Sequence, residues 1–169
     1  MSAIGDPDLL IRSRRALLDA LEALREHQES VVLIGAQAIY LHTGELEVAL
    51  PAMTKDSDLA IDSRTLASEP LIEEAMRAAG FALRTEKPQP GTWINPSGIP
   101  VDLMVPEALS GPGGTRGARV PPHASQAMRR AVGLEAAMMD RRKMRVTSLD
   151  ASDTRFLAVG VILGSAERS

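Results

Sequence analysis

Leu10, Leu17, Leu18, Leu21 and Leu24 recur every three or four positions behind Asp6-Pro7, a capping carboxylate followed by a first-turn proline. That spacing predicts an amphipathic first helix, because such positions share one face of a 3.6-residue repeat. The pattern then changes period. Val31-Val32-Leu33-Ile34 is a short β-branched run that ends at Gly35, and Ala36-Gln37-Ala38-Ile39-Tyr40-Leu41-His42 reads as a two-turn helix closed by Gly44. A polar, proline-containing connection from Glu45 to Met53 leads to a strand from Asp58 to Asp62, with Leu59 and Ile61 facing away from the acids. A helix from about Glu69 to Ala79 follows, with Ser68 as its cap and Gly80 as its stop.

Phe81 to Thr85 and Val101 to Val105 read as strands, and the Pro/Gly-rich stretch between them, Lys87 to Gly98, as a hairpin connection carrying the only tryptophan, Trp93. Residues 106–122 hold prolines at 106, 112, 121 and 122 and glycines at 111, 113, 114 and 117, the composition of a loop. Ala124 to Arg142 has helix-forming composition interrupted by Gly133, whereas Arg145 to Leu149 and Phe156 to Leu163 have the composition of strands. These elements predict one mixed α/β (α+β) domain, a short, mostly antiparallel sheet backed by helices.

Composition narrows the class of protein. A chain of 169 residues with 44% hydrophobic content can bury a core, and 2% aromatics means that the core is aliphatic. With 22 acidic and 19 basic residues the formal charge is −3, so no global field draws in nucleic acid or an anionic membrane. The lack of cysteine excludes disulfides, thiol catalysis and thiolate-bound zinc. No basic leader with an apolar core and no 18-residue apolar run occurs, which leads to the expectation of a soluble, cytoplasmic protein without membrane contact.

Three carboxylates stand where apolar strands are expected. Asp56 and Asp58 are two residues apart, so a strand turns both to one face roughly 7 Å apart, and Asp102 interrupts Val101-Asp102-Leu103-Met104-Val105, where aspartate is disfavoured. Hard oxygen donors of this kind suit Mg²⁺ or Mn²⁺, which hold substrate phosphates beside protein carboxylates. Gly35, followed by Ala36, opens a helix at a turn free of side chain, where backbone N–H groups and the helix dipole favour a phosphate. A dinucleotide fold fits worse, since Gln37 and Tyr40 stand at the second and third glycine positions of G-x-G-x-x-G. A calcium loop fails because Ile61 and Ala67 replace its glycine and its bidentate glutamate.

Ile34-Gly35-Ala36-Gln37-Ala38, Thr54-Lys55-Asp56-Ser57-Asp58-Leu59 and Val101-Asp102-Leu103-Met104-Val105-Pro106 together resemble the DNA polymerase β-type nucleotidyltransferase superfamily, and within it the AbiEii-like bacterial branch. The resemblance implies a metal-dependent transfer of a nucleoside monophosphate from a nucleoside triphosphate to an acceptor hydroxyl of RNA, particularly tRNA, or of a protein. It implies Asp56, Asp58 and Asp102 as catalytic metal ligands for Mg²⁺ or Mn²⁺, and Gly35 with Ala36 as the nucleotide-binding turn. It also implies a setting in toxin–antitoxin or phage-defence systems, with an antitoxin as partner. Two departures stand out: Ala36 replaces the usual serine or glycine, and no lysine follows Lys143, so the lysine-bearing C-terminal helical part of the branch is expected to be missing. The alternative reading is therefore a catalytically inactive, truncated nucleotide- or partner-binding module.

The remaining candidates are weaker. Asp62, at the far end of the strand, is expected to face solvent; His27, His42 and His123 have no ligand spacing; and no G-x-S-x-G elbow is present. Arg116 and Arg119 read as a solvated loop with phosphate contact as the sharper option, Trp93 as a core or hairpin anchor, and Met128, Met138, Met139 and Met144 as core filler. Thr54 is expected to fix a turn and Lys55 to point away from the acids. A third reading makes Phe156 to Leu163 an exposed apolar run that docks on another chain or forms a homodimer.

Overall fold

The computed structural model describes residues 7–43 and 57–162, so Thr54, Lys55 and Asp56 lie outside the described residues. The first helix, α1 (Pro7–Ala23), buries Leu17, Leu18 and Leu21, and a 3-10 turn (Arg25–Ser30) leads from it into β1 (Val31–Ile34). Then come α2 (Gly35–Thr43), β2 (Ser57–Ile61), α3 (Ile72–Ala78), β3 (Ala82–Leu83), β4 (Thr92–Ile94) and β5 (Pro100–Pro106). The last third supplies β6 (Arg129–Ala131), a 3-10 turn (Glu135–Met138), β7 (Arg141–Thr147) and β8 (Phe156–Ile162).

The strands form one mixed sheet in the order β3-β4-β5-β2-β1-β8-β7, with β6 on β5 as well. Pairings β1–β2, β3–β4, β4–β5 and β7–β8 are antiparallel, and β1–β8, β2–β5 and β5–β6 are parallel. Period-2 alternation gives the sheet two different faces. Val31, Leu33, Leu59, Ile61, Val101, Leu103 and Val105 join the leucines of α1 and Ile72 and Met76 of α3 in the main core. Val32, Ile34, Ala60 and Met104 face the other way, against Ala137 and Met138 of the second 3-10 turn. Asp58 and Asp102 belong by parity to this second face, beyond the small core that covers its middle.

Several expectations change. Ala124 to Arg142 forms no α-helix: Arg129–Ala131 pairs with β5, Gly133 turns with φ +85°, and β7 begins at Arg141. Strand pairing outweighs helical propensity in this segment. The hairpin connection contains β4, whose Trp93 is fully buried and donates its indole N–H to the Ala127 carbonyl at 3.0 Å, so the anchor reading holds. The start of α3 is capped by His123 Nδ1, which accepts the Ile72 N–H at 3.1 Å, instead of by Ser68; Leu71 just before it is extended, which shortens the helix. Gly80 ends α3 with φ +94° as expected.

The apolar run that was a candidate docking surface is β8, an interior strand between β1 and β7, with Val159 and Val161 fully buried. A parallel partner is invisible to local pattern, which explains the difference. Met128 and Met138 are core and Met144 packs against it, but Met139 is 82% exposed. No helix of the described residues is long and apolar enough to cross a membrane.

Candidate active site

The carboxyl-bearing strand β5 runs through the middle of the sheet, and its Asp102 is paired in register with Asp58 of β2 on one side and Thr92 of β4 on the other. Register partners share a face, so the two carboxylates stand side by side on neighbouring parallel strands, about 4.8 Å apart at the backbone. On the far edge of β2, Asp58 is paired with Ile34, the last residue before the glycine turn. One row across the sheet therefore reads Thr92, Asp102, Asp58, Ile34, and Gly35 opens α2 immediately beyond it.

Gly35 is needed for two separate reasons. Its φ is +76°, a left-handed conformation that side chains disfavour, and a Cβ built on it falls 2.7 Å from Asp58 Oδ2. The Asp58 carboxylate occupies the space that any other residue at 35 would fill. The first turn of α2 is held from below by Gln37, which is buried and accepts a 2.9 Å bond from Arg14 Nε, while Arg14 Nη1 donates to the Thr147 carbonyl at 2.8 Å. The amide-rich start of α2 is thereby fixed against α1 and β7, a rigid cradle for an anion.

Asp102 is 8% exposed and needs partners to remain in an apolar strand. Thr92 Oγ1 donates to its Oδ1 at 2.6 Å, and Arg129 Nη1 donates to the same oxygen at 3.1 Å. Arg129 also donates to Thr92 Oγ1 and to the Pro90 carbonyl, each at 3.2 Å. All these bonds to the carboxylate end on Oδ1, which leaves Oδ2 as the oxygen for a ligand. Neither Thr92 nor Arg129 stands out in the sequence. Arg129 lies 27 positions from Asp102 in a segment of helical composition, so only the pairing of β6 with β5 reveals it.

The connection between those strands depends on Gly91. β4 and β6 lie end to end along one edge of β5, β4 against residues 100–102 and β6 against 104–106. Gly91, with φ +81°, sits at the junction, where a Cβ would meet the Leu103 carbonyl at 2.3 Å and the Arg129 amide at 2.7 Å. This close approach lets Arg129 start β6 within reach of Asp102.

Hard carboxylate oxygens on adjacent strands are the donor chemistry of Mg²⁺ or Mn²⁺, and Asp58, packed against the side-chain-free turn at Gly35, and Asp102 Oδ2 could hold such an ion beside a phosphate. Among the described residues no group of three His, Asp or Glu side chains could hold a metal, and Asp56, the third acid of the pattern, lies outside them. Asp62 is not solvent-facing. It is 2% exposed, and Arg64 donates to it from its backbone N–H, Nε and Nη2 at 2.9 to 3.0 Å; burial raises its carboxyl pKa, but those bonds and charges win and leave it below the ordinary value.

The histidines are structural. His123 accepts from Ile72 and its Nε2 contacts the Ala67 carbonyl at 2.9 Å, His27 Nε2 contacts the Pro70 carbonyl at 2.7 Å, and the two rings meet edge to face. His42 Nε2 ties α2 to the Ile162 carbonyl at 2.7 Å. Arg116 and Arg119 are exposed on the loop after β5, as the solvated reading holds.

No curated protein and no solved structure matches the chain. The profile of a family described as nucleotidyltransferase, however, matches residues 12–150, a span that contains Gly35, Asp56, Asp58 and Asp102 together with Thr92 and Arg129. Covering that much of the chain, the match shows that this protein belongs to the nucleotidyltransferase family.

Proposed function

We propose that the protein transfers a nucleoside monophosphate from a nucleoside triphosphate to an acceptor hydroxyl at the junction of β2 and β5. The observation that carries this reading is the register pairing of Asp58 with Asp102, with the Asp58 carboxylate packed against the Cβ-free turn at Gly35. The backbone N–H groups at Gly35 and Ala36 bind the triphosphate, with the α2 dipole favouring its charge. Asp56, Asp58 and Asp102 would hold Mg²⁺ or Mn²⁺, which when bound would stabilise the charge of the leaving pyrophosphate and ease deprotonation of the acceptor hydroxyl. The acceptor oxygen bonds the α-phosphorus, the bond from that phosphorus to the bridging oxygen of the β-phosphate breaks, and the electron pair leaves with pyrophosphate. The hydroxyl proton passes to the Asp102 carboxylate, which Thr92 and Arg129 hold in place by Oδ1.

The finer placement we propose is the AbiEii-like bacterial branch, with RNA, tRNA or a protein as acceptor, a role in phage defence or toxin–antitoxin control and an antitoxin as partner. It is supported by the residue patterns around Gly35, Asp56, Asp58 and Asp102. The test is pyrophosphate release and label transfer from each α-labelled triphosphate with Mg²⁺ or Mn²⁺ and cellular RNA or protein, comparing wild type with Asp58→Asn and Asp102→Asn. Release that depends on both aspartates is expected. Triphosphate binding with no release from any nucleotide would replace the enzyme by a nucleotide-binding module.

A further inference from the structure

The loop that follows β5 presents an unusual charge pattern. From Ala108 to Leu134 the chain carries four arginines, 116, 119, 129 and 130, and no carboxylate, in a protein whose formal charge is −3. Two of these arginines are committed to structure. Arg129 clamps Asp102, and Arg130 donates to the carbonyls of Ser110, Gly111 and Thr115, pinning the loop to the sheet.

Arg116 and Arg119 are different. Both are exposed, and neither guanidinium has a hydrogen-bond or ion-pair partner among the described residues. They stand on backbone that is firmly held: Arg119 N–H bonds the Ser110 carbonyl at 2.7 Å, and the Arg116 carbonyl accepts from Arg130 N–H at 2.8 Å. Between them and the start of β4 runs a groove of about 530 Å³, lined by Pro90, Thr115, Arg116, Arg119, Ser125 and Gln126, with no acid in its wall. Glu73, which accepts from the N–H of Ala124 at 3.0 Å, is not part of the wall.

Position decides what the groove is for. Across the sheet the order is groove, Thr92, Asp102, Asp58, Gly35, because Pro90 both lines the groove and accepts the Arg129 bond that steadies Asp102. An in-line displacement needs its donor and its acceptor on opposite sides of the reacting phosphorus. With the triphosphate at Gly35, the acceptor enters from the groove side. We infer that this groove is the acceptor track, and that Arg116 and Arg119 grip the phosphodiester backbone of a polynucleotide strand whose terminal hydroxyl reaches Asp102. Two guanidinia on held backbone, unpaired among the described residues, suit phosphates of a flexible strand, whereas Pro90 is the one apolar side chain in the groove wall, too little to anchor a protein segment.

This inference rests on the nucleotidyl-transfer reading only for direction; binding itself is measured without catalysis. Fluorescein-labelled RNA and DNA oligonucleotides of the same mixed sequence, about 20 nucleotides long, are titrated with the protein in EDTA without triphosphate, and anisotropy is read from 50 to 200 mM salt. Wild type is expected to bind, and the arm that binds identifies the polynucleotide. Arg116→Ala/Arg119→Ala is expected to weaken binding about tenfold or more at low salt and to reduce the log–log salt slope by roughly 1.4, two single-strand phosphate contacts at about 0.7 each. Among the described residues neither arginine has a partner to lose, so the Trp93 fluorescence and urea midpoint of the double variant should match wild type. No binding of either oligonucleotide, or equal affinity and slope in the double variant, overturns the proposal. So does transfer of label to a protein acceptor that the double variant performs as well as wild type. Pyrophosphate release that still depends on Asp58 in a protein that binds no oligonucleotide would sink the groove and leave the transferase standing.

Discussion

Replacing Gly35 by alanine separates two effects that usually come together, backbone strain and loss of a site. At φ +76° an alanine costs about 1–2 kcal/mol in the left-handed region. Its Cβ would also lie 2.7 Å from Asp58 Oδ2, and reaching an ordinary 3.4 Å contact requires the carboxylate to move by about 0.7 Å. A misplacement of that order at a reacting centre lowers rate by roughly 10–100-fold. Gly98 supplies the control, because it has nearly the same conformation, φ +82°, yet nothing within 4 Å of a Cβ and a place in the β4–β5 turn away from the acids. Gly98→Ala should therefore lose about 1–2 kcal/mol, or roughly 2–8 °C in Tm, and Gly35→Ala at least as much, read from urea and thermal unfolding by Trp93 fluorescence. Only Gly35→Ala should lose pyrophosphate release. If Gly35→Ala releases pyrophosphate at the wild-type rate, or Gly98→Ala loses as much, the contact between the turn and Asp58 is not part of the site.

Arg129→Ala should destabilise by roughly 2–4 kcal/mol in urea, because it strips a buried carboxylate of its charged partner, whereas Asp102→Leu/Arg129→Met, which removes both charges, should cost less than either single change while abolishing pyrophosphate release. His123→Ala should raise urea sensitivity by about 1–3 kcal/mol, since the Ile72 N–H at the start of α3 and the Ala67 carbonyl both lose their partner. Acid should unfold the protein in part through Asp153, whose carboxyl the Arg155 hydrogen bonds hold down to about 2. A depressed carboxyl contributes stability above its unfolded value of about 3.9 and loses it as pH falls through the folded value. The destabilisation caused by Arg155→Met, which also breaks the 2.7 Å pair with Asp19, should thus be full above pH ~4 and shrink toward pH ~2 in urea melts.

Local pattern is sufficient where local physics decides. The leucine stripe of α1, the apolar run of β1, Gly35 at its end and Gly80 after α3 follow from periodicity and from glycine's access to positive φ. Asp58 and Asp102 are legible as anomalies, acids inside apolar strands, and the structure brings them into register. What the sequence conceals depends on pairing between distant segments. β6 and β8 both lie parallel to strands far away in the chain; composition alone favours a helix for β6, and for β8 it marks a strand but not the partners that bury it. Arg129 and Thr92 share that obscurity, and so does the His123 cap on α3. Asp62 escapes local pattern for a related reason, because Arg64 two residues on folds back over it and allows it to be buried.

An aspartate in the middle of an apolar strand is a cost, and the way that cost is met explains the local architecture. Asp102 is accommodated in a nearly closed position because one oxygen is bonded by Thr92 and Arg129, and those donors arrive from two different strands that meet end to end on one edge of β5. That arrangement in turn requires Gly91 at the join, where backbone approaches too closely for any side chain. A hydrophobic pair in place of Asp102 and Arg129 would satisfy the strand with none of this apparatus. What the apparatus achieves, and the apolar alternative would not, is a carboxylate held by Oδ1 at a fixed place beside Asp58, with no bond to its Oδ2 among the described residues.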